Sequence, residues 1–446
     1  MTAGASGAAG SPNACEGLDT SRDSVLYLSP DDAQSMASPV ILRRRIEAHE
    51  DWRLHRGIVR PYEFLNYYDL GYERAAPGTV ALSAEATAAE PGQLALTLAV
   101  SSPASPAERR PMNLTFVLDT SGSMLGAPIS LLRQSVLKIA SQLRVGDRVS
   151  MVTWDTSQLV LLEQHAVMGP EDPAVVAAVE SVNAVGGTDL SAGLARGYAL
   201  ASAIFDAEHL NRVILISDGQ ANAGITDAEV IGAGAALNDG DGIYLVGVGV
   251  GEGVNDTLMD EVTDAGRGAY VYLDTSREVD HIFGERFDEV MDVAARAVQI
   301  ELTVPWYLRM QSFFGEEFST NPRVVEPQHL GPDDAVVLHQ TLAACAAEHL
   351  DGADPVSLVA RWSTPVLHAP RSVSLTTTVG ALTQAPAPHQ PKVRAILAYA
   401  IGLATASAPE LARAIELADS IDPDRLDRDL VEVRRLAELA RRDLTP

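Results

Sequence analysis

Five consecutive residues, Asp119-Thr120-Ser121-Gly122-Ser123, place one carboxylate and two hydroxyls on alternate positions. Gly122 lets the chain bend sharply enough for both hydroxyls to face one point. Two other places carry matching groups: Gly186-Gly187-Thr188-Asp189 and Ser217-Asp218-Gly219. Oxygen donors of this kind suit Mg²⁺, a hard cation that takes oxygen ligands in near-octahedral array and keeps several waters. Because hydroxyls outnumber carboxylates, such an ion stays incompletely neutralised and still attracts an external carboxylate. The chemistry expected is therefore binding of an ion, and through it of an acidic partner.

Catalytic arrangements are missing from the same stretch. Ser121 has no histidine in the motif to activate it as a nucleophile, and no Gly-x-Ser-x-Gly elbow occurs. The 10 histidines form no His-x-x-x-His pair, and His209 and His281 read as structural or exposed. Gly247-Val248-Gly249-Val250-Gly251-Glu252-Gly253 does not keep the Gly-x-Gly-x-x-Gly register, so it reads as a loop after a buried strand. Asn238-Asp239-Gly240-Asp241-Gly242 lacks the spacing and terminal Glu of a calcium loop and reads as a turn. The chain is expected not to be an enzyme.

The elements that would position these residues follow from periodicity. Leu114–Leu118 is a short buried strand ending at Asp119. Ile129, Leu132, Val136, Ile139 and Leu143 then mark one face of a helix. Arg148–Trp154 and Leu159–Ala166 form a strand pair about Asp155-Thr156-Ser157, followed by a helix over Glu171–Val182. Leu190, Leu194, Tyr198 and Ala201 mark another helix, then come a strand at Val213–Ser217 and a helix at Asp227–Leu237. Ile243–Val248, Thr257–Ala265 and Ala269–Leu273 continue the alternation, and Ile282, Phe283, Phe287 and Val290 give a closing helix. The fold class is α/β: a doubly wound, mostly parallel sheet of Rossmann-like type with one antiparallel hairpin at its edge. Its sites belong at the carboxyl ends of the strands, where the motifs lie.

Here a family likeness is plain. Asp119-x-Ser121-x-Ser123, Gly187-Thr188-Asp189 and Ser217-Asp218-Gly219, in that order and on those elements, resemble the metal-ion-dependent adhesion site of von Willebrand factor A domains. The resemblance runs over about 185 residues, from Pro111 to Ala295. It implies the ligands Asp119, Ser121, Ser123, Thr188 and Asp218, none of them substituted, with Mg²⁺ first and Mn²⁺ or Ca²⁺ as alternatives. In some domains of this family the metal ligands couple to a shift of the last helix, here the one carrying Ile282, Phe283 and Phe287. Ser38-Pro39, Arg43-Arg44-Arg45 and the run Arg60 to Asp69 resemble the segment before the A domain in bacterial envelope proteins labelled calcium-activated chloride-channel homologues.

Around the A domain the period changes to two. Residues 78–101 read as two strands, with Leu94, Leu96, Leu98 and Val100 on the buried face of a half-buried one. Val298, Ile300, Leu302 and Val304, then Ala335–Leu342, Val356–Trp362 and Val373–Thr377, read as strands. The simplest pairing joins the two groups, so that the α/β domain is inserted in a β-sandwich. Pro/Ala-rich stretches at 103–107 and 385–388 read as short stiff linkers. The expected division is a flexible tail at 1–22, sandwich strands at 23–110, the A domain at 111–295, sandwich strands at 296–384 and a helical module at 385–446. In that module Val393–Ala404, Leu411–Ser420 and a helix opening at Pro423, with Leu426 on its apolar stripe, suggest a docking surface or a packing appendage. Tyr62, Phe64, Tyr67, Tyr68 and Tyr72 are expected to pack, clamping the N-terminal segment onto the body.

Composition narrows the partners. With 60 acidic against 33 basic residues the formal charge is −27, which repels nucleic acid and anionic membranes. No apolar run is long enough to span a bilayer. Cys15 and Cys345 are far apart and read as two free thiols. Residues 1–17 lack a basic n-region and an apolar h-region, so the chain as it stands is expected in the cytoplasm. An upstream lipoprotein signal would place it in the cell envelope. The expected function is metal-dependent binding of a protein that offers Asp or Glu. The alternatives are an accessory subunit of a separate ATP-driven machine, since this chain has no Gly-x-x-x-x-Gly-Lys-Ser/Thr loop, or an envelope scaffold with a stabilising metal.

Overall fold

The computed structural model describes residue 15 and residues 19–29, 35–187, 189–220 and 242–444. The helix expected at 227–237 lies outside these residues. In chain order the strands are β1 (Ser24–Ser29), β2 (Ala81–Ala88), β3 (Gln93–Ser101), β4 (Met112–Asp119), β5 (Arg148–Trp154), β6 (Gln158–Ala166), β7 (Leu210–Ser217) and β8 (Ile243–Val250). They continue as β9 (Tyr270–Leu273), β10 (Ala295–Val304), β11 (Leu308–Phe314), β12 (Glu317–Ser319), β13 (Gln328–Leu330), β14 (Ala335–Ala344), β15 (Pro355–Ser363) and β16 (Pro370–Thr378).

The α/β sheet has the order β6-β5-β4-β7-β8-β9. All its pairings are parallel except β5 with β6, the expected antiparallel edge. Every residue of β4, β7 and β8 is buried, as a parallel sheet covered on both faces requires. On one face Leu114, Phe116 and Leu118 meet Ile129, Leu132, Val136 and Ile139 of the helix Ala127–Ala140. On the other, Val117, Val213 and Leu215 meet the helices Leu190–Ala203 and Asp256–Ala265. The Gly-rich run begins inside β8 rather than after it. A Cβ on Gly247 would lie 2.0 Å from the Thr263 hydroxyl, so glycine lets the second helix pack closely.

The closing helix is broken into Ser276–Asp280, a π-helical turn at His281–Glu285, and Phe287–Met291. Ile282, Phe283, Phe287 and Val290 are all buried, as the periodicity suggested.

Strands on either side of the α/β domain do pair. β1 lies against β10 with Leu26 opposite Leu302, and β3 against β14 with Leu98 opposite Leu338. One sheet runs β12-β1-β10-β15-β16 with β13 beside β10, and the other β11-β14-β3-β2. Their inner faces share one apolar core, so the A domain is inserted in a sandwich between β3 and β10.

Three expectations need correction. β3 is buried on both faces rather than one. Its Ala95 and Thr97 side is covered by the start of the helix Gln390–Thr405, where Gln390 Nε2 donates to the Ala95 carbonyl at 2.9 Å and the Thr97 hydroxyl at 3.3 Å. The last helix opens at Arg428, and Leu426 is 82% exposed. Asp422 accepts from the backbone of Leu426 and Asp427, and Asp427 caps Asp429 and Leu430, so carboxylate capping overrides the apolar spacing. Cys15 and Cys345 are not free thiols but form a disulfide with Cα atoms 5.0 Å apart. Separation in sequence misleads here because an entire domain is inserted between β3 and β10.

The three C-terminal helices, Gln390–Thr405, Ala408–Ile421 and Arg428–Leu444, are packed into the body. Phe64 meets Tyr399 edge-on at 5.6 Å, Tyr72 stacks on His389, and Trp52 donates to Asp443 at 3.1 Å. The aromatic cluster thus packs the N-terminal helices Ala37–Glu47 and Pro61–Tyr67 between the A domain and these helices. Arg43 is the polar centre of that junction, reaching Asp274, Glu278 and the Tyr67 hydroxyl. Burial alone would push its guanidinium down, but the Tyr67, Glu278 and Asp274 groups outweigh it and raise the pKa. Among the described residues no helix is long and apolar enough to cross a membrane.

Candidate functional site

β4 runs between β5 and β7, at the point where the chain order reverses, and its carboxyl end delivers Asp119 to the crevice such sheets leave there. Asp119 is fully buried, with Ser121 at 1% and Asp218 at 3% exposure, whereas Ser123 is exposed. The site therefore has a buried floor and an open side.

Asp119 is held from both directions. Its Oδ1 accepts from the Ser121 backbone N–H at 2.9 Å, and its Oδ2 from the Ser217 hydroxyl at 2.6 Å. Ser217 also accepts from the Gly219 N–H at 2.9 Å. The Ser121 and Ser123 hydroxyl oxygens lie 3.0 Å apart on a short 3₁₀ turn, Gly122–Met124. The alternate spacing seen in the sequence thus brings both hydroxyls to one point. Asp218, at the end of β7, is fixed by its backbone carbonyl, which accepts from Asn255 N–H at 2.8 Å, and by its Oδ1, which accepts from Gln220 N–H at 3.1 Å. Gly219 has φ +68°, and a Cβ there would come within 2.9 Å of the Asn255 carbonyl, so that contact needs glycine.

A third loop closes the group. Gly122 N–H donates to the Gly186 carbonyl at 3.1 Å and Val185 N–H to the Thr120 carbonyl at 2.6 Å. Gly186 has φ +89° and faces Asp155, whose carboxyl carbon would lie 3.0 Å from a Cβ. Asp189 caps the helix Leu190–Ala203, its Oδ1 accepting from the Ala192 N–H at 3.1 Å. Thr188 lies outside the described residues. Asp119, Ser121, Ser123 and Asp218 are gathered by the loops after β4 and β7. Ser217 and the Asp155 loop are additional supports that periodicity did not single out. Their roles depend on which strand ends meet, and the only hint was that a serine directly precedes Asp218.

Electrostatically the floor is poised for a cation. Burial, opposed by hydrogen bonds from Ser217 and Ser121 and assisted by the charge of Asp218, pushes the Asp119 carboxyl up to about 6. A positive charge beside it would restore the ionised form. The donors gathered are all oxygens, two carboxylates and two hydroxyls, which is the chemistry of a hard divalent ion and not of zinc. Leu125 is 75% and Val185 60% exposed on the loops that flank the serines.

Comparison with known proteins bears on the domain that carries this site. The von Willebrand factor type A domain family matches residues 113–285. The chain is 32% identical over 198 residues to uncharacterized protein YfbK of Escherichia coli, covering 44% of this chain and 34% of that protein. It is 28% identical over 202 residues to uncharacterized protein sll0103 of Synechocystis, covering 45% and 47%. Inter-alpha-trypsin inhibitor heavy chain H2 of Sus scrofa is 25% identical over 166 residues, covering 35% of this chain and 18% of that one. The chain thus spans between a third and a half of the first two relatives' length. Among solved structures, a von Willebrand factor type A protein from Catenulispora acidiphila superposes with a TM-score of 0.52 at 14% identity, covering 79% of this chain and 89% of that one. Residues 113–285 are a von Willebrand factor type A domain, a module that generally mediates protein–protein interaction.

Proposed function

We propose that the loops after β4 and β7, with the loop before the helix Leu190–Ala203, hold one divalent cation, Mg²⁺ first, through Asp119, Ser121, Ser123, Thr188 and Asp218, and that an Asp or Glu of a protein partner completes its shell. The observation that carries this reading is the pair of hydroxyls 3.0 Å apart beside a buried carboxyl that is already fixed at both oxygens. Second contacts of this kind hold ligand groups near the geometry that binding needs. The bound ion supplies an electrophilic centre; the chain's own residues supply its position and the exclusion of competing charge. With a net charge of −27, the remaining surface repels acidic groups, so the ion becomes the preferred docking point for one.

Leu125 and Val185 stand exposed beside the loop and would receive an apolar side chain next to the partner's acidic residue. Among the described residues the Ser121 hydroxyl is bonded to that of Ser123, and binding is the reading this arrangement supports. Docking of an ATP-driven machine on the C-terminal helices gains no support, because Leu397, Tyr399, Leu403, Val433 and Leu436 are buried in the shared core.

The test is capture of partners from a native lysate on the immobilised chain, in Mg²⁺ and in EDTA, with Asp119→Ala and Ser121→Ala beside the wild type. Proteins retained in Mg²⁺, released by EDTA and missing from both variants are expected. Equal capture under all four conditions contradicts the reading.

A further inference from the structure

At the other end of the A-domain sheet the amino ends of the strands meet the sandwich over a small cavity of about 80 Å³. Arg110 lines it where the chain enters the A domain, Arg212 at the start of β7, Tyr244 at the start of β8, and Arg296 where the chain re-enters the sandwich. His368, from the turn between β15 and β16, closes the sandwich side. Parallel strands all begin at this end, so their first side chains converge here as their last ones converge on Asp119.

Among the described residues, basic groups outnumber acidic ones along this seam. Arg110 Nη2 pairs with Asp292 at 2.9 Å. Arg212 is 3% exposed and forms no ion pair among the described residues; its Nη1 makes only a long hydrogen bond, 3.4 Å, to the carbonyl of its own neighbour Asn211. Its guanidinium carbon lies 4.9 Å from the Tyr244 ring centroid, and that of Arg296 approaches the same ring at 5.6 Å. Arg296 Nη1 lies 3.1 Å from His368 Nε2. Among the described residues three guanidinium groups share the one carboxylate of Asp292 at this cavity, and of the three only Arg212 is fully buried without an ion pair. Burial pushes the Arg212 guanidinium down to about 10, still protonated at neutral pH. Proteins meet an uncompensated buried cation with a counter-charge.

We propose that this cavity binds a small tetrahedral anion of the inorganic phosphate class, held by Arg212 and Arg296 with Arg110 at its edge, which braces the A domain against the sandwich. Arg212, buried with no carboxylate partner among the described residues, and the half-exposed Arg296 on the same ring call for an anion. Guanidinium forks match oxyanions through paired N–H donors. The volume is far below the roughly 300–1,000 Å³ of pockets for organic ligands, which leaves room for the ion and not for an organic carrier. The site stands apart from the metal loop, at the opposite end of the sheet, and does not rest on that reading.

The test uses the intact chain in EDTA, so that phosphate cannot report on a bound metal. Inorganic phosphate is titrated at constant ionic strength, read by ³¹P line broadening and by the melting temperature. Saturable binding is expected, weakened at least about tenfold in Arg212→Met and, separately, in Arg296→Gln. Arg267→Met, which removes the arginine paired with Glu326, leaves it unchanged. The two site variants guard against one of them failing to fold. An unsaturable response, an equal response to chloride, equal competition by succinate, or equal affinity in all four proteins overturns the proposal.

Discussion

Replacing Arg43 by methionine should cost about 3–5 kcal/mol, and replacing its neighbour Arg44 in the same way no more than about 1 kcal/mol. The two lie side by side on one helix, yet the fold places them differently. Arg43 is 2% exposed and its Nη2 meets Asp274 at 3.0 Å and Glu278 at 2.6 Å, carboxylates that are themselves 5% and 2% exposed. Its Nη1 donates to the Tyr67 hydroxyl at 2.7 Å, and Glu432 of the last helix lies 3.7 Å away. Methionine keeps the apolar stem and removes the charge, leaving two buried carboxylates without a cation. Arg44 pairs with Glu50 and Glu252, which are 35% and 85% exposed, and solvent replaces its pairing at little cost. Equilibrium urea unfolding of both variants measures the difference, and hydrogen exchange over residues 276–291 localises it to the closing helix of the A domain. A gap of at least about 2 kcal/mol between the variants follows from these two ranges. Losses that cannot be told apart would refute the claim that the flanking helices are an integral support of the A domain.

Other consequences are equally direct. Ser217→Ala removes the hydroxyl that orients Asp119 and should weaken Mg²⁺ binding roughly 10–100-fold; calorimetry showing less than about a threefold change would count against that role. His339 is buried against the Thr97 hydroxyl at 2.8 Å, and burial pushes its imidazole from 6.5 down to about 4. The unfolded chain then takes up the proton first, so stability should fall by up to about 3 kcal/mol as pH drops from 6.5 to 4. His339→Phe should flatten that part of a denaturation-against-pH curve, and an unchanged slope would exclude His339 as its source. Thiol titration of the unreduced, unfolded chain should find no free cysteine, and reduction should lower stability by roughly 2–4 kcal/mol. Two titratable thiols without reductant would contradict the Cys15–Cys345 bridge.

The site was legible where its information is local. Asp119, Ser121 and Ser123 lie within five residues, and the strand before them and the helix after them follow from apolar periods of two and three to four. The insertion in a sandwich could be inferred from Leu94–Val100 and Val298–Val304, whose alternation flanks the α/β pattern. What escaped depended on tertiary contact. β1 is six residues long and gains its identity only by lying between β10 and β12. Nothing in the run Arg43-Arg44-Arg45 distinguishes Arg43 from its neighbours until Asp274, Glu278 and Glu432 surround it. Ala95 and Thr97 read as an outer face until Gln390 covers them. Leu426 keeps the apolar spacing of a helix, but Asp422 and Asp427 capture the backbone there and move the helix start from Pro423 to Arg428. Ser217 could be seen beside Asp218, though not its bond to a residue 98 positions away.

The central claim is that Asp119, Ser121, Ser123, Thr188 and Asp218 form one divalent-cation site. Isothermal calorimetry of the metal-stripped chain with Mg²⁺, repeated with Mn²⁺ and read by its electron paramagnetic resonance, tests it most directly. The account predicts one high-affinity ion per chain, lost in Asp119→Ala and in Ser121→Ala while both variants keep the wild-type circular dichroism spectrum. No saturable binding to the wild type, or the same stoichiometry and affinity in the variants, would contradict it.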